Sequence, residues 1–265
     1  METKFINRLY YLIFFFFFSY ISFSQSSKKL QPIDVFSLEY VSDPHISPDG
    51  KKILYVRNFK DIMTDKNFSN LWMINFDGTN NTPITTGNKN DFSPIWSNSG
   101  KNFIYKSDSD GSVQLYIYRL NQGSIQKLTN MQSSIGSVDW SDDDKYLAFN
   151  SFVKESENNL IKMPEKPEGA KWNEPPIEID DINYRNDGRG YVKQGNTQIF
   201  TLPLEGGTPR QLTFFQKNVG SPKWLSNKEL LFSANFHENS DLEPNNSEIY
   251  LLNIETEKIK PLTSR

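Results

Sequence analysis

Four aromatic residues in this chain are each followed, 13 positions later, by a threonine: Trp72 by Thr85, Tyr116 by Thr129, Phe200 by Thr213 and Tyr250 by Thr263. The aromatics sit in short apolar runs, "LWMIN", "LYIYRL", "IFTLPL" and "IYLLNI". Three of the threonines are followed 11 positions later by a tryptophan: Trp96, Trp140 and Trp224. Two fixed offsets recurring in separate stretches define one structural unit repeated along the chain. Such a repeat constrains the fold more than any compositional figure.

A third element completes the unit. "ISPDGKKILYV" from Ile46, "WSNSGKNFIYK" from Trp96 and "WSDDDKYLAFN" from Trp140 each place an apolar residue seven positions on, at Ile53, Phe103 and Leu147. A second follows at nine, at Tyr55, Tyr105 and Phe149, while "WLSNKELLFSA" from Trp224 has a turn one residue shorter. Each unit therefore reads strand, polar turn, alternating strand, loop, strand, turn, and a short strand ending in Ile-Thr or Leu-Thr. Asp77-Gly78 and Gly206-Gly207 supply hairpin turn signals between the last two strands. Four antiparallel strands per unit predict an all-β β-propeller of WD-type blades, with blades at about 44–85, 92–129, 136–213 and 220–263. The abundance of Phe (20) and Tyr (12) agrees with a strand-rich chain.

The threonines are 44, 84 and 50 residues apart, against roughly 40 to 45 for one blade. The third blade thus holds an excursion at 151–197, rich in Pro, Glu and Asn, which reads as a surface segment. Within it "INYRNDGRGY" carries Tyr184, Arg185, Asp187, Arg189 and Tyr191, the candidate lining of a ligand cavity or substrate channel. Repeating the 11-residue step from Thr263 would set another inner strand near position 274, past Arg265. A propeller closes only when its last blade meets its first, so the expectation is an incomplete propeller, a piece of a longer polypeptide.

The first residues differ from all that follows. Lys4 and Arg8 precede an uncharged, apolar-dominated run from Leu9 to Phe23, which gives way to Ser24-Gln25-Ser26-Ser27-Lys28-Lys29. That is the pattern of a secretory signal peptide over 1–24, with cleavage after Ser24, a lead-in segment over 25–43, and no stable membrane insertion of the mature chain. Export places the protein in the periplasm or outside the cell. With no Cys, neither a lipoprotein anchor nor a disulfide framework is available. A net charge of −3 lacks the basic surplus that tracks a phosphate backbone, so nucleic acid is not an expected partner.

The order of these parts resembles the amino-terminal propeller of secreted serine peptidases of the prolyl oligopeptidase family, near the acylaminoacyl-peptidase and dipeptidyl-aminopeptidase branch. The motifs are "VSDPHISPDGKKILYVRN" in the first blade and "YRNDGRGYVKQGNTQIFTLPLEGGTPRQLT" in the third, and the resemblance covers residues 34–265. It implies a propeller that restricts entry of short peptides to an α/β-hydrolase domain carboxy-terminal to it, with peptide substrates as partners and no cofactor. TolB-like periplasmic propellers share the general blade motif, so a non-catalytic binding module is the alternative.

No Gly-x-Ser-x-Gly elbow occurs in the chain, and its two His, His45 and His237, lie in separate blades and read as structural or solvated. Catalytic and metal-ligating residues are therefore not assigned. "SDDDK" at 141–145 lacks the alternating ligands and terminal Glu of a calcium loop and reads as a turn, in which Ser141 matches Ser47 and Ser97. Glu178, Asp180 and Asp181 could meet a substrate's amino terminus, as acidic residues do in dipeptidyl peptidases.

Overall fold

The computed structural model describes residues 29–155, 164–173, 179, 182, 184–188 and 190–264. The signal peptide expected at 1–24 lies outside them. The chain divides into Met1–Leu38 and Glu39–Arg265. The first unit shows one 3-10 turn, Pro32–Ser37, opened by the Gln31 amide donating to Asp34 Oδ2 at 2.9 Å. Among the described residues, the second holds all the strands. Among the described residues no helix is long and apolar enough to cross a membrane, which says nothing of a β-barrel.

Four four-stranded antiparallel sheets succeed one another as blades. The first is β1 (Tyr40–Ile46), β2 (Lys52–Asp61), β3 (Lys66–Asn75) and β4 (Thr82–Pro83). The second is β5 (Asp91–Trp96), β6 (Asn102–Ser107), β7 (Gln114–Arg119) and β8 (Ser124–Lys127). The third begins with β9 (Ile135–Trp140) and β10 (Tyr146–Lys154). A separate hairpin, β11 (Arg185–Asn186) with β12 (Gly190–Tyr191), then precedes the third blade's last strands, β13 (Gly195–Pro203) and β14 (Arg210–Gln211). The fourth is β15 (Lys223–Ser226), β16 (Glu229–Ala234), β17 (Glu248–Asn253) and β18 (Ile259–Pro261). These are β-propeller blades, as the repeat predicts.

The 13-residue offset is a hydrogen bond. Each aromatic faces a cross-strand partner, in the pairs Tyr55–Trp72, Tyr105–Tyr116, Phe149–Phe200 and Phe232–Tyr250, stacked at centroid distances of 6.5, 5.5, 5.6 and 5.5 Å. The residue just before the aromatic of β3, β7, β13 or β17 donates its amide to the threonine hydroxyl, from Leu71 to Thr85, Leu115 to Thr129, Ile199 to Thr213 and Ile249 to Thr263, each at 2.9 Å. The short fourth strand has ended by then, and the side chain satisfies an amide that would otherwise be orphaned.

The 11-residue offset joins blades. Trp96 Nε1 donates to the His45 carbonyl at 3.0 Å, and Trp140 Nε1 to the Ile95 carbonyl at 3.3 Å, so each indole pins its inner strand to that of the preceding blade. The third junction differs. Trp224 Nε1 is enclosed without a partner, and the Asp139 carboxylate instead takes the Trp224 amide at 2.8 Å and Lys223 Nζ at 2.6 Å. The shorter turn accounts for this. Trp96 pairs with Phe103 and Trp140 with Leu147, seven residues on, whereas Trp224 pairs with Leu230, six on.

Strand alternation gives every blade two apolar faces. One is aliphatic and packs forward: Leu54 and Leu71 of the first blade cluster with Trp96, Phe103 and Tyr105 of the second. Ile104, Leu115 and Ile117 then cover Phe149 and Phe200 of the third, and Ala148 and Ile199 cover Leu230 and Phe232 of the fourth. The core is therefore a series of inter-blade layers, each an aliphatic front against a largely aromatic back.

The two tryptophan environments predict different costs for the same substitution. Trp96→Phe strips the donor from the His45 carbonyl, while Trp224→Phe removes an indole N–H that bonds nothing. Denaturant unfolding should show Trp96→Phe the more destabilising by roughly 1–2 kcal/mol. Equal losses would count against the inter-blade staple.

Candidate functional site

The polar turns come first, because they hold the serines and acids that chemistry would draw on. Ser47, Ser97 and Ser141 are buried, and their hydroxyls accept the amides of Lys52 (2.9 Å), Asn102 (3.4 Å) and Tyr146 (2.9 Å). Ser47 also donates to Asp49 Oδ1 at 2.6 Å and Ser141 to Asp143 Oδ1 at 2.7 Å, and these bonds are the leading cause that holds both carboxyls below the usual aspartate range. Asp144 takes the left-handed position (φ 56°) that Gly50 and Gly100 fill elsewhere. Its carboxylate receives the Asn98 and Ser99 amides of the preceding blade at 2.7 and 2.8 Å. "SDDDK" is thus a turn and a blade-to-blade clasp. His45 Nε2 lies 2.8 Å from Asp43 Oδ1 on the innermost strand, and no cluster that could hold a metal occurs among the described residues.

The other end of the blades carries the connections between second and third strands, at 62–65, 108–113, 155–194 and 235–247. The last two are long and belong to neighbouring blades. The excursion leaves and returns through a narrow neck, where Lys154 pairs with Gly195 and the Glu155 amide donates to the Gln194 carbonyl at 3.2 Å. Gly195 has φ 139°, and a Cβ there would meet the Val153 carbonyl oxygen at 2.3 Å, so the neck requires glycine.

Beyond the neck, Arg185 pairs with Tyr191 and Asn186 with Gly190, and the Val192 amide donates to the Tyr184 carbonyl at 2.9 Å. Tyr184, Arg185, Asp187 and Tyr191 are all exposed on this small hairpin, with Trp172 and Ile182 exposed along the same excursion. Arg189, Glu178, Asp180 and Asp181 lie outside the described residues. Two phenol rings, a guanidinium and a carboxylate on one hairpin can stack on and hydrogen-bond an extended peptide.

The 235–247 loop is built by its own polar groups. Asn235 Nδ2 donates to the Glu243 carbonyl at 2.7 Å, Asn246 Nδ2 to Glu243 Oε2 at 3.0 Å, and Phe236 packs between Phe215 and Tyr250. It shapes an open depression of about 620 Å³ lined by His237, Leu242, Glu243, Pro244, Asn245 and Asn246. The His237 Nε2 atom is enclosed there without a hydrogen-bond partner.

Two features escape a reading of motifs. The residue just before the latch donor in β3, β7 and β13 carries a buried carboxamide that grips the linker to the next blade: Asn70 donates to the Gly87 carbonyl (3.1 Å), Gln114 to the Met131 carbonyl (2.9 Å) and Gln198 to the Phe215 carbonyl (2.8 Å). The second is Asp91. Five residues before Ile46, Trp96, Trp140 and Trp224 stand Val41, Asp91, Ile135 and Val219. Ile135 and Val219 are core residues, yet Asp91 is fully buried with neither carboxylate oxygen hydrogen-bonded. Lys89 Nζ stands 3.3 Å from Oδ2, an ion pair without hydrogen-bond alignment. Burial, then the nearby Asp91 charge, pushes the Tyr105 hydroxyl well above the ordinary phenol range.

A buried ion pair is commonly less stabilising than the apolar residues it replaces. Asp91→Val, the residue type at the matching position of other blades, should therefore raise stability by about 1–4 kcal/mol. Lys89→Met should destabilise the parent but leave Asp91→Val almost unchanged. A thermal-melt double-mutant cycle without coupling between the two sites would refute the pairing.

Comparison with known proteins places these features in context. The family model described as TolB beta propeller domain matches residues 39–171. The uncharacterized peptidase YuxL of Bacillus subtilis is 29% identical over 210 residues, covering 78% of this chain and 31% of that protein. Dipeptidyl-peptidase 5 of Porphyromonas gingivalis is 30% identical over 131 residues, 49% of this chain and 19% of that protein. The Tol-Pal system protein TolB of Alcanivorax borkumensis is 34% identical over 98 residues, 37% of this chain and 22% of that protein. The chain spans about a third or less of these relatives' lengths. Acylaminoacyl peptidase of Pyrococcus horikoshii superposes with a TM-score of 0.65 at 17% identity, over 87% of this chain and 33% of that one, a likeness of fold.

Proposed function

The chain belongs to the TolB beta propeller domain family, and on that premise we propose that it is the substrate-gating propeller portion of an exported serine peptidase acting on short peptides. The observation that carries this reading is the similarity to YuxL, which runs across most of the chain and is joined by dipeptidyl-peptidase 5. The geometry supports it in one respect. The two long connections, 155–194 and 235–247, leave the same end of adjacent blades, where they would narrow an approach for anything larger than a short peptide. Tyr184, Arg185, Asp187, Arg189 and Tyr191 are proposed as the contacts a passing peptide meets. The leader with Lys4, Arg8 and the Leu9 to Phe23 run supports export.

A TolB-like module that binds a protein and catalyses nothing is the second reading, favoured by the matching family model and by the similarity to the Alcanivorax protein. The native gene product, isolated from its own host, separates the two. On the peptidase reading it should be labelled by a fluorophosphonate probe and should release blocked amino acids or dipeptides from short fluorogenic peptides. A native product that takes no label and cleaves none of them would overturn that reading in favour of the binding module.

A further inference from the structure

Three residues before Ile46, Trp96, Trp140 and Trp224 stand Asp43, Ser93, Ser137 and Ser221, in or just before the innermost strand of each blade. In the first three blades a bulge interrupts the ladder to the second strand there, and Asp43 and Ser93 take the left-handed conformation, with φ 51° and 50°. A bulge re-aims its side chain. Ser137 Oγ and Ser221 Oγ meet at 2.6 Å across the third junction, so side chains at this position run along the inner rim of the blades rather than into the layers between them.

The second strand supplies the residue beside each of these positions. Val56, Lys106, Asn150 and Ser233 directly follow the stacked aromatics Tyr55, Tyr105, Phe149 and Phe232. Val56 is buried in the core, Asn150 Oδ1 takes the Ser137 amide at 2.7 Å, and the Ser233 carbonyl takes the Gly220 amide at 2.7 Å. Lys106 does none of these. It is half-buried on β6, in a blade flanked by the first and the third, and its ammonium has no acceptor to offer the bulge. Among the described residues none hydrogen-bonds or ion-pairs with that ammonium. Burial holds the amine below the usual lysine range; the nearby Asp43 charge opposes this without forming an ion pair, and Asp43 Oδ1 lies instead 2.8 Å from His45 Nε2. A partly desolvated, uncompensated charge is disfavoured by folding, and no packing demand of the blade calls for lysine where its counterparts are Val, Asn and Ser.

We propose that Lys106 anchors the terminal carboxylate of a short peptide on the inner rim of the blades. A carboxylate is the anion that a peptide carries at its end, and a charge-assisted hydrogen bond to it supplies the partner that Lys106 lacks. Lys106 is the penultimate residue of β6, at the end from which the 108–113 connection leaves. The long connections 155–194 and 235–247 leave their blades at the same end, so a peptide admitted past them meets the lysine next. The choice of a peptide as ligand rests on the gating reading above, whereas the unpartnered amine belongs to this chain whatever its parent does.

Competitive acylation of the full chain with isotope-labelled acetic anhydride, read lysine by lysine in a mass spectrometer, tests this on the unaltered protein. N-acetyl-Ala-Ala with a free carboxylate should slow acylation of Lys106 several-fold and leave the exposed Lys51 and Lys101 unchanged. Its carboxamide should not protect Lys106, and acetate at the same concentration should protect it less. In equilibrium dialysis the parent and Lys106→Arg should bind the acid, and Lys106→Gln with parental circular dichroism should not. Asp43→Asn removes the carboxylate that competes for the same ammonium and should bind the acid more tightly. An unprotected Lys106, equal protection by the amide or by acetate, or undiminished binding by Lys106→Gln would each overturn the proposal. None of these measurements reads hydrolysis, so their failure leaves the peptidase reading standing, and a native product inert to the fluorophosphonate overturns that reading without touching this one.

Discussion

A four-stranded sheet whose strands alternate between two apolar faces cannot cover either face with its own residues, and this requirement organises the whole molecule. Each blade is stable only against a neighbour, so the energy of folding resides in the layers between blades, where an aliphatic front meets an aromatic back. The remaining devices follow from it. The fourth strand of each blade is short, and the threonine hydroxyl satisfies an amide that its backbone no longer reaches. The indole N–H of Trp96 or Trp140 fixes how one inner strand sits on the last, which sets the register in which the two faces meet.

This explains why so much of the fold is legible in the bare sequence. An offset of 13 survives between blades because it measures a fixed path, out along one strand and back along the next to a hydrogen bond that tolerates no slippage. The offset of 11 measures the linker that carries the chain to the next indole. Trp224 keeps the second offset and still makes no staple, because the turn after it is a residue shorter, a difference visible in "WLSNKELL" whose consequence needs coordinates. Asp91 could have been found by lining up Val41, Ile135 and Val219, but only once the repeat was known to bury that position.

The candidate site was legible only as an interruption. Residues 151–197 are recognised because the repeat resumes after them, and no second copy exists from which to infer their path. The hairpin carrying Tyr184, Arg185, Asp187 and Tyr191 is specified locally, with Gly188 and Gly190 in left-handed conformations closing the turn. The depression beside His237 arises from hydrogen bonds among Asn235, Glu243 and Asn246, a pattern with no sequence periodicity to announce it.

The departures from the repeat carry more functional information than the repeat itself. A position that is a buried Ile or Val in the third and fourth blades is under the same packing demand in the second, so a buried carboxylate there is disfavoured by the fold alone. The third junction likewise exchanges an indole staple for the Asp139 carboxylate, which grips Lys223 and the Trp224 amide instead. That junction joins the two blades that bear the long connections. A carboxylate holding a largely exposed lysine is a weaker tie than an enclosed indole bonded to a carbonyl, so the inner strands of the third junction are held less firmly than those of the first two.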